Sequence, residues 1–276
     1  MTARQLVAGL LAATLLTGCA QSVDPIERLG KKAAQKVRRP QEPSAQTYRR
    51  WGLPAPLAPA PAPDRPRLPV RTGHRALPPV VDRVPTHDKV VFLTYDVTYD
   101  GGYYGAEKDP RFTDMVRELR LPVSVFVTDS EVGPGYAHVA RLRSVGATVQ
   151  NGTLGATSLR GLPYAEQRAG ICGGRDRLSA RFGPRPSFLR PPAGAYDRTT
   201  LRAAADCGVT AVVLWRASMR ADELSYRGRA HRLHRGDIVL AHPRNPDGDS
   251  LTTLTARLLR RVEAQGFTVG RLEDYL

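Results

Sequence analysis

Val90-Val91-Phe92-Leu93-Thr94-Tyr95-Asp96 is an apolar run closed by a carboxylate. Its length and its β-branched and aromatic content are those of a strand buried on both faces, as in a parallel sheet. Four more runs repeat the pattern and end in polar or small residues: Ala147 to Asn151, Ser187 to Pro192, Ala211 to Trp215 and Asp237 to His242. Helix-like segments lie between them. In Pro110 to Leu119 the apolar positions Phe112, Met115, Val116 and Leu119 recur at helical spacing. Tyr136 to Val145, Tyr164 to Phe182, Thr199 to Cys207 and Leu251 to Gln265 read the same way, the fourth of these five stopping at Gly208. Val123–Val127 and Phe267–Val269 bring the expected strands to seven. Such alternation predicts an α/β fold with a parallel sheet, open or closed. Parallel strands wrapped by helices present their carboxyl ends on one face, where sites are built. Asp96, Arg190, Trp215 and His242 are therefore expected to converge from distant parts of the chain.

The N-terminal third has a different character. Arg4 followed by the apolar stretch Leu6–Leu16 reads as an export signal, too short to span a bilayer as a helix. Leu16-Thr17-Gly18-Cys19 resembles the bacterial lipoprotein cleavage box, which implies a signal over 1–18 and lipid on Cys19. The alternative is an ordinary secretory signal with a chance cysteine. Residues 19–79 read as a basic, Pro-rich tether, because prolines recur from Pro40 to Pro79 and Leu53–Pro63 alternates Pro with Ala or Leu. Residues 80–276 are left for one well-buried domain. The expected location is the extracytoplasmic face of the cell membrane, held by the lipid anchor.

The formal net charge of +15 does not point to nucleic acid: no nucleic-acid motif accompanies it, and export removes the chain from the cytoplasm. Nearly all the basic residues are arginines, a skew that genome base composition explains. Attraction to anionic envelope polymers or lipid headgroups is the functional alternative. Cys172 and Cys207 follow Cys19 as the remaining cysteines; an oxidising compartment permits a disulfide between them, and two buried free thiols are the other possibility.

Thr94-Tyr95-Asp96, Asn151-Gly152-Thr153, Leu189-Arg190-Pro191-Pro192, the run into Trp215 and Leu240-Ala241-His242 resemble, in order and spacing, the five motifs of the polysaccharide deacetylases, the NodB-homology group. The resemblance covers Val80 to Leu276. It implies a distorted seven-stranded (β/α) barrel and metal-dependent removal of acetyl groups from cell-wall polysaccharide such as peptidoglycan or a chitin-like chain. By the same resemblance Asp96 takes the place of the general base, Arg190 of the residue that orients it, and His242 of the general acid. The family's metal ligands fall on Val97, Gly152 and Ala156, and Ala193 replaces the aromatic of the third motif.

Valine, glycine and alanine carry no donor atoms, whereas a zinc-type site needs three protein ligands to hold the ion and activate its water. The expectation is a degenerate deacetylase with no cofactor that keeps a glycan-binding groove. Trp215, Tyr103 and Tyr104 are the candidate sugar contacts, although packing and a surface loop account for them equally. The rival is an active deacetylase holding zinc or cobalt in a rebuilt site. Thr98-Tyr99-Asp100 repeats Thr94-Tyr95-Asp96, so Asp100 is the candidate replacement ligand. A third reading is a structural or partner-binding protein that keeps only the fold. If only the donors are missing, Val97→Asp, Gly152→His and Ala156→His together should restore a three-ligand site.

Overall fold

A computed structural model describes residues 43–63, 76–97, 109–132, 135–220, 223–228, 231–241 and 250–276. Ten strands form one sheet: β1 (Val80–Val81), β2 (Val90–Val97), β3 (Val123–Val127), β4 (Thr148–Asn151), β5 (Phe188–Leu189), β6 (Ala211–Val213), β7 (Ala217–Arg220), β8 (Glu223–Tyr226), β9 (Ile238–Ala241) and β10 (Thr268–Gly270). The order is β1-β6-β5-β4-β3-β2-β9-β7-β8, with β10 also on β2. Every pairing between these strands is parallel except the β7–β8 hairpin. The sheet curls. Arg216 N donates to Ile238 O at 2.9 Å and Leu214 N to Val81 O at 2.8 Å, which draws the run after β6 toward β9 and β1. All seven expected strands are present; β1 and the hairpin are additions.

Side chains alternate across the curl, as the pleat requires. Val90 and Phe92 face inward with Phe126, Phe188, Val213 and Ile238, and Leu272 and Tyr275 join this inner cluster. Val91, Leu93 and Tyr95 face outward into a larger cluster covered by helices. Helices α1 (Ala45–Arg50), α2 (Pro110–Leu119), α3 (Asp129–Val132), α4 (Tyr136–Ser144), α5 (Tyr164–Phe182), α6 (Arg198–Asp206), α7 (Leu251–Ala264) and α8 (Leu272–Tyr275) alternate with the strands. Helix α2 buries Phe112, Met115, Val116 and Leu119, the periodic positions of its sequence. Asp197 starts α6 with a capping box, Thr200 N donating to its Oδ1 at 2.8 Å. A disulfide joins Cys172 of α5 to Cys207, the residue after α6. The open question about these two thiols is thus answered by a bridge.

One boundary needs correcting. The tether was expected to run to residue 79, yet the compact unit begins at Pro43. Ser44 caps α1, and Tyr48, Trp51 and Leu53 are buried in the outer cluster. Trp51 Nε1 donates to Glu118 Oε2 at 2.9 Å, and Arg50 pairs with the same carboxylate. Further on, Pro59 bridges to Val269, and Tyr275 Oη donates to Pro61 O at 2.5 Å. Proline stops helix and interior strand, but it does not stop an extended segment from lying along a folded surface. Three large apolar side chains ahead of the prolines supply the burial that holds this strap in place. Cys19 and the 1–18 signal lie outside the described residues.

Candidate functional site at the strand ends

Strand β2 carries Asp96 at its carboxyl end, paired in register with Phe126 of β3. Asp96 has the parity of Phe92, so it stands on the inner side of the curl. Arg190 follows β5 directly and reaches across to it: Nη1 donates to Asp96 Oδ1 at 2.8 Å. The rest of the guanidinium is tied down as well. Nε donates to Val213 O at 3.1 Å, and Nη2 donates to Thr94 Oγ1 at 2.9 Å and to Leu214 O at 3.3 Å. Its Cζ lies 4.1 Å from the Phe126 ring centroid and 5.5 Å from that of Trp215. Arg190 is 2% exposed, whereas the Asp96 side chain keeps 22%. Burial pulls the arginine's pKa below its usual value, and Asp96 opposes that pull. The guanidinium stays charged, because its four hydrogen bonds, one of them to the Asp96 carboxylate, offset its burial.

Trp215 lies at the same end, two residues past β6. Gly194, with a φ of +69°, slips beneath its ring: a Cβ there would sit 3.2 Å from Trp215 Cη2. This close approach accounts for a glycine two residues after the Pro191-Pro192 pair. Arg227, just beyond β8, places its Cζ 4.6 Å from the same ring centroid. Asp96, Arg190 and Trp215 thus converge as expected. His242, Asp100, Tyr103 and Tyr104 lie outside the described residues. Thr94, Phe126 and Arg227 were not singled out in the sequence. Thr94 had a usable signal, since it shares the parity of Asp96 on the same strand; Phe126, placed by the β2–β3 register, and Arg227 had none.

The family's ligand positions are a different matter. Val97 sits one residue beyond Asp96 and so has the opposite parity; its side chain packs against the outer cluster. Gly152 continues the β3–β4 ladder, its N–H donating to Val127 O at 2.8 Å while Thr128 Oγ1 donates to its carbonyl at 3.0 Å. A Cβ at Gly152 would lie 2.8 Å from the Val127 carbonyl carbon and 2.9 Å from Thr128 Oγ1. Backbone therefore fills the space a side chain would need. Thr153 completes the turn at a φ of +87°, strained for a β-branched residue, and is held by Asn151 Oδ1, which accepts its N–H at 2.8 Å. Ala156 is exposed. Among the described residues no three His, Cys, Asp or Glu side chains gather as a metal site would require. The described residues do not fit a zinc-type centre, and restoring Val97→Asp, Gly152→His and Ala156→His would demand backbone movement as well as new donors.

The polysaccharide deacetylase profile matches residues 83–212. An uncharacterised protein of Streptomyces coelicolor is 56% identical over 203 residues, covering 73% of this chain and 79% of that relative. A Bacillus anthracis protein described as a CE4 family pseudoenzyme superposes with a TM-score of 0.59 at 19% identity, over 72% of this chain and 69% of that one. A family 4 carbohydrate esterase from the same organism gives 0.57 at 20% identity, over 71% and 86%. The fold matches, five motifs are in order, and the profile spans the strands that carry Asp96 and Arg190: the chain belongs to the polysaccharide deacetylase family.

Proposed function

We propose that this chain is a cell-envelope lipoprotein whose deacetylase-family domain lacks metal-dependent deacetylase activity and binds cell-wall glycan at the strand-end face. The observation that carries this reading is Gly152, where a ligand-bearing side chain would collide with the Val127–Thr128 backbone. Without a metal, water keeps its high pKa and nothing polarises the acetyl carbonyl. Asp96, bound to Arg190, does not make up several kcal/mol of charge stabilisation. The Cys172–Cys207 disulfide supports an oxidising, extracytoplasmic setting. Lipid on Cys19 supplies the membrane attachment. The chain purified with its lipid anchor, incubated with chitooligosaccharides or peptidoglycan in the presence of zinc or cobalt, is expected to bind glycan and release no acetate. Sustained acetate release would overturn the reading and favour a rebuilt site that uses Asp100.

A further inference from the structure

Among the described residues, Arg190 and Arg227 lie against the Trp215 ring and Arg216 follows Trp215 in the chain; the first and last of these are paired with carboxylates. Arg190 is paired with Asp96, and Arg216 Nη1 lies 3.4 Å from Asp82 Oδ2. Arg227 is exposed and has no acidic partner among the described residues. Its backbone is fixed, the N–H donating to Arg216 O at 2.8 Å, and its guanidinium rests against the Trp215 ring. Stacking uses only the flat face of a guanidinium. Among the described residues nothing takes the N–H donors at its edge, which leaves them to a planar oxyanion. A neutral sugar that stacks on Trp215 must displace Arg227 from the ring. A sugar with a carboxylate can share the ring edge and keep the arginine as its counter-ion.

We infer that the Trp215–Arg227 rim selects a carboxylate-bearing glycan over a neutral one. This rests on the glycan-binding reading and names the substrate class. A charge-assisted, bidentate contact at an exposed rim gives a preference of about tenfold.

The test is calorimetric titration of the full mature chain with three probes: chitotetraose, peptide-free glycan strands containing muramic acid, and poly(glycerol phosphate). The muramic-acid strands should bind about tenfold more tightly than chitotetraose. Arg227→Gln should abolish that difference by weakening binding of the muramic-acid strands, and Arg227→Lys should keep part of it. Arg49→Gln, which removes an exposed arginine from α1, should change neither and so controls for the overall charge. Equal affinity for neutral and acidic strands, or a preference that survives Arg227→Gln, overturns the inference and leaves glycan binding standing. Poly(glycerol phosphate) bound as tightly as the acidic strands, with the same dependence on Arg227, overturns the sugar-carboxylate assignment. Failure of every probe to bind overturns the glycan-binding reading itself.

Discussion

Breaking the Arg190–Asp96 pair has unequal consequences from its two sides. Arg190→Leu leaves the Val213 and Leu214 carbonyls without their donor, strands Asp96 and uncovers the Phe126 ring. Removing one partner of a buried pair costs about 3–5 kcal/mol. Asp96→Asn keeps an acceptor oxygen at a position that water already reaches, and should cost about 1 kcal/mol. Urea midpoints for the two variants check this ordering, and a larger loss for Asp96→Asn would contradict it. Gly152 gives a second residue-level test. Gly152→Ala forces a methyl against the Val127 carbonyl carbon and should lose about 1–3 kcal/mol. Ala156→Ser, at an exposed position, should stay within about 0.5 kcal/mol of wild type in the same titration. The shared parity of Asp96 and Thr94 was legible in the sequence, because a strand has a period of two, whereas that of Phe126 needed the β2–β3 register. The closure at Gly152 was not, since it depends on a ladder to Val127 and Thr128, more than twenty residues earlier in the chain.

Helices α1, α2 and α7 form one unit with the strap. Arg260 Nη1 of α7 donates to Gly52 O at 3.3 Å, and Trp51 packs between them with its indole on Glu118 of α2. Trp51→Ala should lower stability by about 3–5 kcal/mol, and a chain begun at Val80 should melt well below one begun at Pro43. Equal melting temperatures would return this segment to the tether. The strap escaped a reading by composition because a count of prolines hides Tyr48, Trp51 and Leu53 just ahead of them. Hairpin β7–β8 escaped too: Ala217-Ser218-Met219-Arg220 alternates apolar and polar, but four residues is the shortest run in which alternation marks a strand. Helix α2 was legible to the residue from its apolar periodicity, and the bounds expected for α5 also match. Helix α4 adds a pH dependence. His138 is fully buried, neither ring nitrogen has a hydrogen-bond partner among the described residues, and burial, reinforced by Arg141 and opposed by Asp109, brings its pKa down to about 4. The unfolded chain takes up this proton near its ordinary value of 6.5. His138 therefore contributes stability above pH 6.5 that is lost as pH falls toward 4, about 3 kcal/mol in full. Chemical denaturation at pH 7 and pH 4.5 should show a steeper acid loss for wild type than for His138→Leu; parallel losses would contradict it.

At the scale of the whole molecule, the curled sheet keeps the deacetylase architecture while Val97, Gly152 and Ala156 stand at the family's ligand positions. The inner face is filled by apolar side chains from Tyr275 up to the Arg190–Asp96 pair. The barrel class was legible because seven buried runs alternate with helical segments. The state of the site was legible only as missing donors: Val97, Gly152 and Ala156 in the sequence say that ligands are gone, and the structure adds that Val97 points to the outer core and Gly152 is walled in. The most direct test of that account is the zinc content of the purified full-length chain after equilibration with excess zinc and removal of loosely held ions. The account predicts well below one zinc per chain. One tightly held zinc per chain would contradict it.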